Sequence, residues 1–220
     1  MCDNSGPSLE EKARPMITAR QALERLQAGN RRFVSGVRNL DMLASPLRRS
    51  ELAEGQEPFA IMLGCSDSRV PAEIVFDQGL GDLFVIRVAG NIVAPSQIGS
   101  VEFAAERYQT RLVVVLGHTR CGAIEATVDQ LQRPTGNASL HLDSIVDRIR
   151  PSVEGLLAAG LGHDRTALMQ HAVRANIRAS ANHLRHGSQL IERLVRDDGL
   201  LVVGAEYSLE TGNVEFFDGL

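Results

Sequence analysis

The apolar positions of this chain follow two regimes. Between residues 18 and 54 they recur at helical spacing. Thr18 with Gln21 three residues on forms a capping-box signal, and Ala22, Leu23 and Leu26 then share one face. The pattern predicts that this helix ends near Gly29-Asn30, before Arg31-Arg32-Phe33. A second helix is predicted to start at Ser45-Pro46, a cap followed by proline at the first helical position, and to end by Gly55. From residue 59 the polar face disappears. Phe59–Leu63, Leu83–Val88 and Leu112–Leu116 are strand-length runs, apolar on both faces as in central parallel strands. Ala89-Gly90-Asn91 breaks the second run. Ser96 is read as the cap of a helix with Ile98, Val101, Phe103 and Ala104 as its apolar positions, and another helix opens at Cys121-Gly122 and runs to about Leu131. Residues 142–197 read as helices broken at Pro151, Gly160–Gly162 and Gly187-Ser188. Leu200–Val203 and Asn213–Phe217 flank Glu210-Thr211-Gly212 as a terminal hairpin.

Apolar strands alternating with helices give the α/β class: a mainly parallel central sheet flanked by helices, with an N-terminal helical arm and a C-terminal hairpin. The expected organisation is a flexible tail over 1–16, a helical arm over 17–54 that packs on a partner subunit, and an α/β catalytic domain over 55–220. Neither arm helix carries enough apolar surface to fold alone.

Composition narrows the function. A net charge of -4 and a pI near 5.9 exclude the basic excess of a nucleic-acid binder. No apolar run approaches the ~20 residues of a membrane helix. The polar N-terminus has no secretory h-region, so a cytoplasmic chain is expected, with Cys2 a free thiol on the tail and the Asn137-Ala138-Ser139 sequon a chance match. Three widely spaced cysteines, an odd number, favour chemistry or metal over disulfides.

The chemistry lies in two clusters. Gly64-Cys65-Ser66-Asp67-Ser68-Arg69-Val70-Pro71 follows the first apolar run, and Gly117-His118-Thr119-Arg120-Cys121-Gly122 follows the third. Charged groups at the end of a buried strand cost several kcal/mol unless paired or metal-bound, which a purely structural core has no reason to carry. Both clusters leave carboxyl ends of predicted parallel strands, the edge on which α/β sheets build sites. The His118-x-x-Cys121 spacing lets two ligands converge from one tight turn, and Cys65 arrives from the neighbouring strand. Two thiolates and an imidazole compose the Cys₂His set of a catalytic zinc whose fourth position is open. His141, His163, His171, His183 and His186 lie in the helical half and are read as solvated or locally satisfied.

These clusters closely resemble the Cys-x-Asp-x-Arg and His-x-x-Cys zinc signatures of beta-class carbonic anhydrases. Gly29-Asn30-Arg31-Arg32-Phe33, Gly55-Gln56-x-Pro58, Val70-Pro71-Ala72-Glu73 and Arg87-Val88-Ala89-Gly90-Asn91 extend the resemblance from about Ala22 to the terminal hairpin. It implies reversible hydration of CO₂ to bicarbonate and a proton, with one Zn²⁺ per subunit held by Cys65, His118 and Cys121. Its fourth position carries water or hydroxide. Two thiolates donate more charge than imidazoles, so a weakly acidic water and activity favoured by alkaline pH are expected. Asp67, paired with Arg69, would orient the hydroxide; released from it, Asp67 would close the site as the fourth zinc ligand. The resemblance further implies substrate contacts from Gln56, reaching across from the adjacent subunit, from Phe84 in an apolar wall, and from Gly122. A homodimer, or its further assembly into a tetramer, is the implied state.

Two departures stand out. One subgroup of the family has a bicarbonate regulatory site of Trp, Arg and Tyr; Arg87 and Tyr207 match, but Met62 replaces the Trp, so the site is expected to be absent or weakened. Phe103 stands where many members have Tyr. Two other functions fit the same residues: a carbon disulfide or carbonyl sulfide hydrolase on this scaffold, and a non-catalytic zinc or redox-sensing protein. The Asp67–Arg69 pair argues against the second.

Overall fold

The computed structural model describes residues 17–37, 45–133 and 139–220. The 1–16 tail with its Cys2, and Asn137-Ala138 of the sequon, lie outside the described residues.

Helix α1 (Ala19–Val34) opens with the expected capping box: the Gln21 N–H donates to Thr18 Oγ1 at 3.2 Å and the Thr18 N–H to Gln21 Oε1 at 3.0 Å. It does not stop at Gly29-Asn30. A Cβ at Gly29 would sit 1.8 Å from the Phe76 carbonyl oxygen, so this glycine permits a close approach between backbones. Asn30 turns its amide inward, donating to the carbonyls of Val75 (3.1 Å) and Gly212 (2.9 Å) and accepting from the Val214 N–H (2.9 Å). Two residues with the sequence character of a helix stop are therefore contacts to other parts of the chain. Helix α2 (Pro46–Leu52) is capped by Ser45 as expected, and it buries none of its side chains.

The main domain then runs β1 (Ala60–Gly64), α3 (Ala72–Val75), β2 (Leu83–Arg87), a 3₁₀ turn (Ala89–Asn91), α4 (Pro95–Arg107), β3 (Leu112–His118) and α5 (Gly122–Gln132). It continues through α6 (Leu140–Ala158), a second 3₁₀ turn (Leu161–His163), α7 (Arg165–His186), α8 (Gln189–Asp197), β4 (Leu201–Tyr207) and β5 (Val214–Asp218). Helix α4 starts two residues earlier than Ser96 predicts: Ala94 is the N-cap, Pro95 takes the first helical position, and Ser96 bonds Gln97 instead of capping. Within α4, Val101 and Ala104 are buried but Phe103 is 53% exposed. Pro151 does not break the chain; it lies inside α6. Its ring is on the exposed side, while Ile149 and Val153 bury the other face, and that packing outweighs one lost backbone bond.

The five strands are ordered β2-β1-β3-β4-β5; the first four are parallel and β5 runs antiparallel to β4. The hairpin is thus part of the central sheet, since β4 pairs with β3 from Leu112↔Leu201 to His118↔Tyr207. Alternate strand residues feed two cores. Ile61, Leu63, Val113, Val115 and Val202 pack under α4 to α8, while Ala60, Met62, Leu112, Val114 and Val203 pack against α1 and α3. From β1 the chain moves outward to β2 and then returns past β1 to β3. The strand order reverses between β1 and β3, and the carboxyl ends of strands at such a reversal are where open α/β sheets place their sites.

Candidate metal centre

Cys65 is the first residue beyond β1, His118 the last of β3, and Cys121 the N-cap of α5. All three side chains are buried, and their ligand atoms lie within 4.8 Å of one another. The two Sγ atoms are 4.0 Å apart. Tetrahedral zinc with Zn–S bonds of about 2.3 Å requires two sulfurs roughly 3.8 Å apart, so the donors already stand at nearly the required spacing. Arg120, at φ 53°, makes the left-handed turn that folds Cys121 back towards His118.

The imidazole is prepared for a cation. Its Nδ1 lies 2.8 Å from the Thr119 carbonyl oxygen, which can only accept, so Nδ1 carries the proton. Nε2 is left with its lone pair, buried and without a hydrogen-bond partner among the described residues. A buried polar atom of this kind is costly unless something binds it. The thiols tell the same story. The hydrogen bond between the two sulfurs, against the opposing effect of burial, brings Cys65 down to about 4, helped by His118 and the backbone of Asp67 and Gly90. Cys121 is pushed up in turn, by its bond to the Cys65 sulfur and by burial. The pair therefore holds one thiolate readily and the second only when a cation arrives. Burial lowers His118 most, but the Cys65 sulfur, the Thr119 carbonyl and Asp67 together outweigh it and the net shift is upward. Two thiolates and an orphaned imidazole nitrogen fit zinc.

Asp67 stands beside this set. Its Oδ1 accepts from the Arg69 backbone N–H (3.0 Å) and Nε (2.9 Å), and its Oδ2 accepts from the guanidinium at 2.7 Å. Arg69 foremost holds the carboxyl well below the usual carboxylate range, despite some burial. Asp67 Oδ2 is 3.8 Å from His118 Nε2, so the paired carboxylate borders the ligand cluster. Gly122 begins α5 directly after Cys121.

Gln56 and Phe84 are elsewhere. Gln56 donates to the Tyr108 hydroxyl at 3.0 Å, and Phe84 stacks with Phe103 and Tyr108 at 6.2 and 6.0 Å between ring centroids. These residues gather at the amino-terminal edge of the strands, opposite the edge that carries Cys65 and His118. Within one chain they do not join the metal cluster. Among the described residues, none of the other histidines does either.

Sequence reasoning missed two supports. Arg87, at the end of β2 and in register with Gly64, donates to the carbonyls of Cys65 (3.0 Å) and Asp67 (2.6 Å). Its position at a strand end was a usable signal. Asn176 of α7 donates to the Gly90 carbonyl at 2.8 Å, and the Gly90 N–H points to Cys65 Sγ at 3.4 Å. A buried asparagine in a 22-residue helix gives no such signal.

A family model described as carbonic anhydrase matches residues 60–214. The chain is 38% identical over 197 residues to a carbonic anhydrase of Mycolicibacterium smegmatis, covering 88% of this chain and 91% of that one. It is 36% identical over 197 residues to carbonic anhydrase 2 of Mycobacterium tuberculosis, covering 90% and 92%. Among solved structures, the beta-carbonic anhydrase CafA of Aspergillus fumigatus superposes with a TM-score of 0.71 at 26% identity, over 80% of this chain and 82% of that one. With a family model over more than half of the chain, relatives at 36–38% identity over most of it and a beta-carbonic anhydrase fold, the chain belongs to the beta-class carbonic anhydrase family.

Proposed function

We propose that this protein is a zinc-dependent carbonic anhydrase that interconverts CO₂ and bicarbonate, with Cys65, His118 and Cys121 holding the ion. The observation that carries the reading is the buried donor trio with its unpartnered His118 Nε2, bordered by the intact Asp67–Arg69 pair. The ion, when bound, supplies the positive charge that makes a water molecule acidic enough to attack CO₂. Asp67 is acceptor-only while ionised, and Arg69 occupies both of its oxygens from the solvent side. Its remaining lone pair is free to accept the O–H of the reacting water and aim the oxygen. Arg87 fixes the backbone that carries both Cys65 and Asp67. Gly122, with no side chain at the mouth of the site, leaves room for substrate. The paired state of Asp67 is the open, active one; its release from Arg69 would let it take the fourth position.

Gln56 and Phe84 complete the site from a partner subunit in this reading. Helix α2 buries no side chain, and Leu47 is 71% and Phe103 53% exposed, apolar surface that a second copy would cover. The arm over 17–54 contributes to that contact. Regulation by bicarbonate at a Trp-Arg-Tyr site is not part of the proposal: Met62 is wholly buried and Arg87 is committed to two carbonyls. No helix among the described residues is long and apolar enough to cross a membrane. The two reduced thiols suit the cytoplasm. Stopped-flow CO₂ hydration by the zinc-loaded protein, beside assays for hydrogen sulfide release from carbon disulfide and carbonyl sulfide, tests the reading. Rapid hydration supports it; sulfide release without hydration overturns it.

A further inference from the structure

The ligands His118 and Cys121 are separated by Thr119 and Arg120, and one distant side chain holds both of these residues. Glu210, at the turn between β4 and β5, accepts from the Thr119 hydroxyl at 2.8 Å through Oε2 and from Arg120 Nε at 2.7 Å through Oε1. Thr119 is held from the same turn by two further bonds: its hydroxyl accepts from the Leu209 N–H (3.0 Å), and its own N–H donates to the Tyr207 carbonyl (3.0 Å). The Thr119 carbonyl is the acceptor that fixes the His118 tautomer. Arg120 carries the positive φ and its carbonyl also receives Arg69, at 3.4 Å.

The turn is itself anchored. Gly212 N–H donates to Ser208 O and Ser208 N–H to Asn213 O, both at 2.9 Å, and Thr211 N–H donates to Ser208 Oγ at 3.1 Å. On its far side, Asn30 of α1 bonds Gly212 O and the Val214 N–H. An anchored turn thus reaches the ligand loop, and within it the Glu210 carboxylate is the group that holds both Thr119 and Arg120.

We propose that Glu210 is a positioning residue for the metal centre: it clamps the Thr119–Arg120 peptides so that the His118 imidazole keeps its orientation and the zinc its retention. This rests on the zinc reading above. An exposed Arg–Glu pair, here with side chains 74% and 43% exposed, contributes little by itself. The role comes from geometry, because one group spans the whole insert between two ligands. Groups bonded directly to a metal ligand typically change metal affinity about 10–100-fold, and Glu210 holds the peptide that carries one of them, the Thr119 carbonyl.

The test uses the zinc-loaded protein with excess chromogenic chelator, and the Co²⁺-substituted protein for its visible spectrum. Glu210→Ala and Thr119→Val are each expected to speed zinc release about tenfold or more and to alter the Co²⁺ bands. The double variant should release zinc faster than either single one but by less than the product of their effects, since the two share the Thr119–Glu210 bond while Leu209 N–H also bonds Thr119 and Arg120 also bonds Glu210. Thr119→Ser, which keeps the hydroxyl, should release zinc like wild type. Thermal unfolding of the metal-free variants reads stability separately. If wild type retains zinc and both variants release it at the wild-type rate with unchanged Co²⁺ bands, the proposal is overturned. Faster release with unchanged bands, tracking a lower unfolding temperature, overturns it too, because Glu210 then serves the fold alone. A wild type that binds no zinc refutes the zinc reading itself.

Discussion

Replacing Asn30 by alanine separates two readings of one residue. As a helix stop, Asn30 would be dispensable, and alanine, a better helix former by roughly half a kcal/mol, would leave stability unchanged or raise it. As the clamp seen in the structure, it makes three bonds with backbone groups: Val75 O, Gly212 O and Val214 N–H. The side chain is 6% exposed, so water does not freely replace it. At about 1 kcal/mol for each net bond, with a further penalty wherever a group stays dry, Asn30→Ala should destabilise by roughly 3 kcal/mol. For a chain of this size that is about 6–12 °C in melting temperature. Thermal and urea unfolding of the zinc-loaded protein, at one fixed concentration because assembly shifts the midpoint, provide the measurement. Asn30→Asp sharpens it: the acceptor for Val214 survives, but a carboxylate then faces two carbonyl oxygens, so the loss should match or exceed that of alanine. A wild-type melting temperature for either variant refutes the reasoning.

Gly29→Ala places a Cβ on the Phe76 carbonyl and should destabilise by about 3 kcal/mol in urea, at the upper end of overpacking; a neutral result would contradict the close approach. Cys121→Ser should lower zinc affinity on the order of 100-fold or more, since even outer partners reach that figure, and the purified protein should lose both zinc and CO₂ hydration. Arg69→Ala should retain zinc but lose hydration activity on the order of 100-fold, because the freed Asp67 no longer aims the reacting water. The same variant has an acid signature. Arg69 depresses the Asp67 pKa, so the pair's stabilisation is complete above the unfolded carboxylate value of about 3.9 and fades as pH falls below it. The wild-type advantage in unfolding should therefore shrink under acid and stay level from pH 5 upward. Finally, two thiolate donors make the reacting water weakly acidic, so hydration rate should rise from pH 6 to 9; a flat profile would sink that argument.

The sheet and the chemistry at its edge are legible in the order of the residues alone. Apolar runs such as Leu112–Leu116 have one low-energy environment, the middle of a covered parallel sheet, and the residue types of Cys65, His118 and Cys121 have one efficient joint use. Both are written in consecutive residues. The tertiary structure decided whatever depends on partners distant along the chain. Gly29-Asn30 has the local chemistry of a helix end, and only Phe76, Gly212 and Val214 reveal it as a contact surface. Pro151 carries a breaker's signal that packing of Ile149 and Val153 overrides. Asn176 meets Gly90 across 86 residues and Glu210 meets Thr119 across 91. A hydrogen bond is made by atoms a few ångströms apart, wherever the chain brings them, and no local pattern encodes that meeting. The fold selects the donors' orientation, while the sequence had already chosen the donors.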